Sequence, residues 1–156
     1  MKTLCLYYSR TNTTKAAMER LAELLDADLG EYTDGKDRSG VKGYIGACFA
    51  SMKKTFPKIT IKEELDLSSY DRVIIGMPVW VEGPCVIGRA FINQYRDSLP
   101  EEVYYAVTHM GKSGYESKIK ALDELLGRPS AGQISLQTKD YDYLKDIEGF
   151  ANMLKA

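Results

Sequence analysis

The sequence predicts an α/β protein whose parallel sheet is covered by helices on both faces. Three observations lead there. Short apolar runs rich in β-branched and aromatic residues alternate along the chain with segments of helical period. The clearest runs are continuously apolar, the sign of strands buried on both sides. Three loops rich in hydroxyl, aromatic or glycine residues each follow a strand, which puts them at the carboxyl edge of such a sheet, where ligands bind.

Leu4-Cys5-Leu6-Tyr7-Tyr8 reads as the first buried strand. From Thr13 to Leu25 the period changes, and Ala17, Leu21, Leu24 and Leu25 fall at helical spacing. Leu29 to Thr33 is a short second strand, and polar Asp34 to Gly40 a loop. Tyr44 to Lys54 places Tyr44, Ile45, Cys48, Phe49 and Met52 at helical spacing, with Pro57 closing the region. Tyr70 to Trp80, built around Val73-Ile74-Ile75, is the central strand. Pro78 is expected past its end, because proline cannot donate to a ladder.

A helix follows over Pro84 to Tyr95, with Pro84 near its first turn. Val103 to Met110 is a fourth strand, Tyr115 to Leu126 a helix stopped by Gly127, and Ala131 to Leu136 a fifth strand. Asp140 to Leu154 is a last helix with an aspartate cap. The 156 residues read as one domain, 1–156, without repeats.

Composition narrows the function. A formal net charge of −1 gives no nucleic-acid signature. Cys5, Cys48 and Cys85 are odd in number and widely spaced, and there is one histidine, so neither a disulfide scaffold nor a metal site is expected. Free thiols fit a reducing compartment. No uncharged stretch reaches the length of a membrane span. A soluble, cytoplasmic protein is the expectation. Between Lys36 and Lys62 basic residues outnumber acidic ones, which reads either as a solvated face or as a docking patch for an acidic partner.

Hydroxyls crowd the end of the first strand, in Ser9-Arg10-Thr11-Asn12-Thr13-Thr14. A new helix start leaves unpaired N–H groups there, so the segment either cradles a phosphate or is an ordinary helix cap. It lacks the lysine and glycine spacing of nucleotide-binding loops, which favours a terminal monophosphate. Arg10 and Lys15 either neutralise it from the rim or are solvated. Trp80, ending the central strand, either lies against a planar ligand or folds into the core. Gly83 permits close approach or a positive φ. The third loop, Thr108-His109-Met110-Gly111-Lys112-Ser113-Gly114-Tyr115, offers free N–H groups and a second aromatic wall in Tyr115. His109 is a structural residue or, less commonly for its type, an acid–base group. Glu82 is the sole acid of these loops, and no nucleophile–base constellation is legible, so no catalytic residue is assigned. The ligand is expected to bring its own chemistry.

These segments resemble the flavodoxin-like family, of the flavodoxin and nitric-oxide-synthase type. Its phosphate loop has the pattern T/S-x-T-G-x-T, matched here by Ser9 to Thr14 with Asn12 in the glycine position. Gly76-Met77-Pro78-Val79-Trp80 is similar to a G-T-P-V-W segment of such members, and Gly43 to Phe49 resembles a run that precedes it. The resemblance implies a five-stranded, three-layer, doubly wound sheet of order 2-1-3-4-5 and the cofactor FMN. By the same resemblance Ser9, Thr11, Asn12, Thr13 and Thr14 hold the phosphate. Pro78, Val79, Trp80 and Gly83 line the ring, and His109, Met110 and Gly111 form the third contact. The near-neutral charge departs from the acidic face of flavodoxin shuttles.

Three functions are compatible with these residues. The first is an FMN-binding electron-transfer protein working with a redox partner protein. The second is an FMN-dependent oxidoreductase passing electrons from NAD(P)H to a quinone or similar acceptor. The third is a flavin-free interaction module on the same scaffold. Monomer and homodimer both remain open.

Overall fold

The computed structural model describes residues 1–52, 55–111, 114–139 and 142–156, with 51 and 52 as backbone only. The elements in order are β1 (Thr3–Tyr7), α1 (Thr13–Leu25), β2 (Asp28–Thr33), α2 (Gly40–Met52), β3 (Thr60–Ile61), β4 (Arg72–Trp80) and β5 (Gly83–Pro84). They continue as α3 (Val86–Tyr95), β6 (Glu102–His109), α4 (Glu116–Lys120), α5 (Leu122–Leu126), β7 (Gly132–Gln137) and α6 (Leu144–Lys155).

The sheet runs β3-β2-β1-β4-β6-β7, with β5 folded back on β4. Its five longer strands are all parallel, and counted among themselves they lie in the order 2-1-3-4-5. Among the described residues two short antiparallel strands bring the total to seven rather than five: β3 on β2, and β5 on β4. At two residues each, they are too short to carry a periodic signal.

Alternation along each strand feeds two cores. Leu4, Leu6, Val73, Ile75 and Met77 face one side, where α2, α3, α4 and α5 supply Ala47, Phe91, Ile119 and Leu122. Cys5, Tyr7 and Ile74 face the other, against Met18 and Leu21 of α1 and Ile147 and Phe150 of α6. Gly76 sets the approach of α1, since a Cβ there would lie 2.5 Å from Met18 Cγ. Truncating a fully buried aliphatic such as Ile75 should cost about 2–5 kcal/mol.

Pro78 lies inside β4, paired with Thr108, rather than beyond the strand. Gly76 turns its carbonyl toward β1, accepting from Tyr8 N–H at 3.1 Å. Pro78, two residues on, faces the same way, but β1 has already ended at Tyr7. The missing N–H therefore breaks no ladder bond, and the Pro78 carbonyl accepts from Cys85 N–H at 2.9 Å. Pro84 also departs from expectation. It belongs to β5, and Cys85 is the N-cap of α3, its Sγ accepting from Gly88 N–H at 3.3 Å.

The helix expected over Tyr115 to Leu126 is two helices joined at Ala121, ending on Gly127 at φ 79°. In the last helix, Leu144 N–H donates to Asp142 Oδ1 at 3.2 Å; Asp140, the cap read from sequence, lies outside the described residues. So do Lys53 and Lys54, the expected end of α2.

Candidate functional site: a cleft at the carboxyl edge of the sheet

β1 ends at Tyr7 and α1 begins at Thr13, so the hydroxyl-rich segment turns over the strand end. Asn12 holds φ 67°, ψ 0°, the left-handed region that asparagine tolerates better than most residues. It occupies the N-cap position, yet its side chain makes no capping hydrogen bond. The start of α1 thus lacks the side-chain cap that the plainer reading required. Ser9 Oγ is buried and has no hydrogen-bond partner among the described residues. Leaving a buried hydroxyl unmade costs about 1–3 kcal/mol, so the cradle suits an acceptor-rich group such as a phosphate.

Thr14 is buried, and its Oγ1 lies 2.7 Å from Thr108 Oγ1. One hydroxyl of that pair donates to the other, which leaves the second proton free to donate elsewhere. This bond ties the first loop to the end of β6, the strand that leads into the third.

A cleft of about 290 Å³ opens where the three loops meet. Ser9, Thr11, Thr13 and Thr14 line one part, Pro78, Val79 and Trp80 another, and His109, Met110 and Gly111 a third. Arg10 and Tyr115 line it as well. Asn12 and Gly83 are not among the lining residues. Asn12 shapes the turn through its backbone. Gly83 pairs with Trp80 in β5 and has no positive φ, and a Cβ there would meet Lys118 only at ordinary contact distance. Tyr44, Ala47, Cys48, Val81, Thr108 and Thr138 also line the cleft and were not singled out from sequence as site residues. The helical period of α2 was legible, but not that this helix stands beside the first loop.

Trp80 satisfies both readings at once. It belongs to the core, with its ring edge-on to Tyr8 at 5.6 Å and 78°, and it lines the cleft. The next residue, Val81, sits at φ 64°, a genuine strain for a β-branched side chain, on the two-residue link to β5. Glu82 is exposed, 3.8 Å from Lys118 Nζ, and takes no part in the cleft lining.

Behind Trp80 stands Arg38, in the polar loop between β2 and α2. Its guanidinium lies 5.5 Å from the Trp80 ring, and its two terminal nitrogens each donate to Asp34 at 2.7 Å. Both side chains are almost fully buried. Burial alone would raise the Asp34 carboxyl, but the Arg38 hydrogen bonds and charge hold it below the usual carboxylate range. Burial also pushes the Tyr8 hydroxyl up to about 12, with Arg38 opposing. The pair lies in a loop, where a spacing of four carries no signal in the sequence. Arg10 braces the same loop, donating to the carbonyls of Arg38 at 3.3 Å and Gly40 at 3.4 Å. Lys15 lies outside the cleft, 3.9 Å from Glu19.

His109 is buried with both ring nitrogens engaged. Nδ1 is 2.7 Å from the Gly111 carbonyl and Nε2 is 2.6 Å from Ser135 Oγ. A carbonyl only accepts, so Nδ1 carries the proton and Nε2 accepts from Ser135. The imidazole holds the third loop in place and has no nitrogen left for a ligand proton. Tyr115 packs on it at 4.8 Å. Lys112 and Ser113 of this loop lie outside the described residues. No cluster of three metal-ligating side chains occurs among the described residues, and no described helix is long and apolar enough to cross a membrane.

A doubly wound α/β sheet with a phosphate-type turn and an aromatic wall at its carboxyl edge defines a class of ligand-binding proteins. Within that class, a family model described as Flavodoxin matches residues 2–138, and the chain belongs to this family. No curated protein matches it. A flavoprotein of Lactobacillus acidophilus NCFM, solved in complex with FMN, is 27% identical with a TM-score of 0.68, over 86% of this chain and 92% of that one. A proposed flavoprotein of Bacteroides eggerthii DSM 20697 is similar in fold at 22% identity and a TM-score of 0.77, over 99% and 98%. A flavodoxin from the domain Archaea shares the fold at 14% identity and a TM-score of 0.60, over the whole of both chains.

Proposed function

We propose that this chain binds FMN and works as an electron-transfer flavoprotein. Ser9, Thr11, Thr13 and Thr14, with the uncapped start of α1, hold the phosphate, and Asn12 sets the turn that presents them. Pro78, Val79 and Trp80 form one wall for the ring, and Met110 and Gly111 the other. When bound, the flavin supplies the redox chemistry. The protein contributes position, exclusion of water and a fixed electrostatic setting.

The observation that carries this reading is the unpartnered buried Ser9 hydroxyl beside an uncapped, left-handed helix start. That combination also speaks against a flavin-free interaction module, which would have no use for an unsatisfied buried donor. The engagement of both His109 nitrogens favours electron transfer over an NAD(P)H-dependent quinone reductase, because it takes one of the two candidate proton donors, His109 and Tyr115, out of play.

Two measurements test this. Purified or refolded protein should quench FMN fluorescence in a stoichiometric titration. The bound flavin should be reduced rapidly by a one-electron donor and only slowly by free NADPH. Absence of flavin binding overturns the whole reading, and rapid turnover with NADPH and a quinone transfers it to the oxidoreductase.

A further inference from the structure

The helix α2 is apolar nearly all round, a pattern expected of a helix covered on every side. It is not so covered. Gly43 and Ala47 are buried against the domain, while Val41, Ile45 and Phe49 form a ladder at four-residue spacing that is 77%, 49% and 64% exposed. Tyr44, 58% exposed, continues the ladder to the lip of the cleft, and Val81 and Met110 stand exposed on the cleft's other sides. On the opposite face of α2 from the cleft is a recess of about 450 Å³, lined by Phe49, Phe56 and Pro57 and by Lys36, Arg38 and Lys42 together with Asp34 and Asp37.

Charge says what covers this face. Seven of the 21 lysines and arginines, but only one of the 22 acids, lie between Lys36 and Lys62, so that segment carries a formal +6 and the remainder −7. Among its described residues Arg38 is buried and neutralised by Asp34, and Lys62 pairs with Glu31. Lys36, Lys42 and Lys58 form no ion pair among the described residues and are exposed. A two-fold contact with a second copy through α2 would lay this positive segment on itself, and like-charge juxtaposition is costly. An acidic surface with an apolar centre is the complement.

We propose that the outward face of α2 and the recess beside it dock an acidic partner protein. The partner seats an apolar side chain between Phe49 and Phe56 and sets its carboxylates against Lys36, Lys42 and Lys58. The proposal rests on the electron-transfer reading for its purpose: Tyr44 and Cys48 of the same helix line the cleft, so a protein seated on the outward face is separated from the flavin site by this one helix.

The test is calorimetry on the FMN-incubated protein, with an acidic [2Fe–2S] ferredoxin as probe and basic cytochrome c as control. The ferredoxin should bind at low salt and weaken at least about tenfold when salt is raised to about 200 mM, as steered charge pairs do. Phe49→Glu and Lys42→Glu should each weaken it at least about tenfold, with FMN affinity and circular dichroism unchanged. Should Phe49→Glu unfold the helix, Ile45→Ser reads the same face more gently. Equal or tighter binding of cytochrome c, or indifference to these variants, overturns the proposal. So does a dimer in light scattering, or binding to phosphatidylserine vesicles, that Phe49→Glu abolishes. Calorimetry reads docking whether or not flavin is bound, so failure of flavin binding is recognised separately by the fluorescence titration.

Discussion

Arg38 lies 5.5 Å from the ring of Trp80 while its two terminal nitrogens are fastened to Asp34. The indole that walls the cleft is thus backed by a buried ion pair from a different loop. Removing one member strands the other. Arg38→Met should destabilise the protein by about 3–5 kcal/mol, since an uncompensated buried carboxylate remains. The double variant Asp34→Asn/Arg38→Met should recover much of that loss. Urea denaturation of the wild type, Asp34→Asn, Arg38→Met and the double variant measures the coupling, and additivity would show that the pair is not coupled.

The same pair sets an acid limit. Asp34 titrates lower in the folded protein than in the unfolded chain, where its value is about 3.9. The unfolded state therefore takes up protons first as pH falls. Stability from this group is fully present above about pH 4 and is lost as pH drops through the folded value. Asp123, also held low against the pull of burial, by Lys120, Tyr105 and Ser130, adds in the same direction. Urea midpoints measured from pH 6 down to 3 should fall, and fall less steeply in the Asp34→Asn/Arg38→Met protein.

Ser9→Ala separates folding from binding. Without ligand it removes an unsatisfied buried hydroxyl and should leave stability unchanged or raise it by up to about 1 kcal/mol. FMN affinity should drop by a factor of about 5–10, the value of one lost hydrogen bond. Thermal melts with and without FMN decide this; a loss of stability in both conditions would assign the hydroxyl a purely structural task.

Asn12 can be tested through its backbone. With φ at 67°, Asn12→Gly should be tolerated or stabilising, whereas Asn12→Ala should cost about 1–2 kcal/mol. Riboflavin, which lacks the phosphate, should bind the wild-type protein and the Ala variant with similar affinity, while FMN should distinguish them.

The Thr14–Thr108 bond predicts a further asymmetry. Thr108→Val leaves Thr14 Oγ1 buried without a partner and should cost about 1–3 kcal/mol, whereas the double Thr→Val variant should cost less. Denaturant midpoints of the two single variants and the double provide the check.

Much of this architecture was legible in the sequence because long elements carry strong periods. Thr13 to Leu25 is the helix that its spacing announced, end to end. The three loops converge on one cleft because parallel strands put all their carboxyl ends on the same edge. What escaped notice depends on neighbours distant in sequence. Pro78 can sit within a strand because β1 stops short, and Arg38 is buried against Trp80 and Asp34. His109 loses its freedom to a serine 26 residues away. None of these partnerships has a local signature.

The overhang of β4 beyond β1 would be an open notch, where a stray chain could add itself to the sheet and seed aggregation, were β5 not folded back onto it. At that notch Pro78 has no hydrogen to donate, and its oxygen is already taken by the Cys85 amide. An intruding segment finds neither half of a backbone pair to grip. The imino acid beside the ligand cleft, together with β5, thereby also shields the molecule from its own copies.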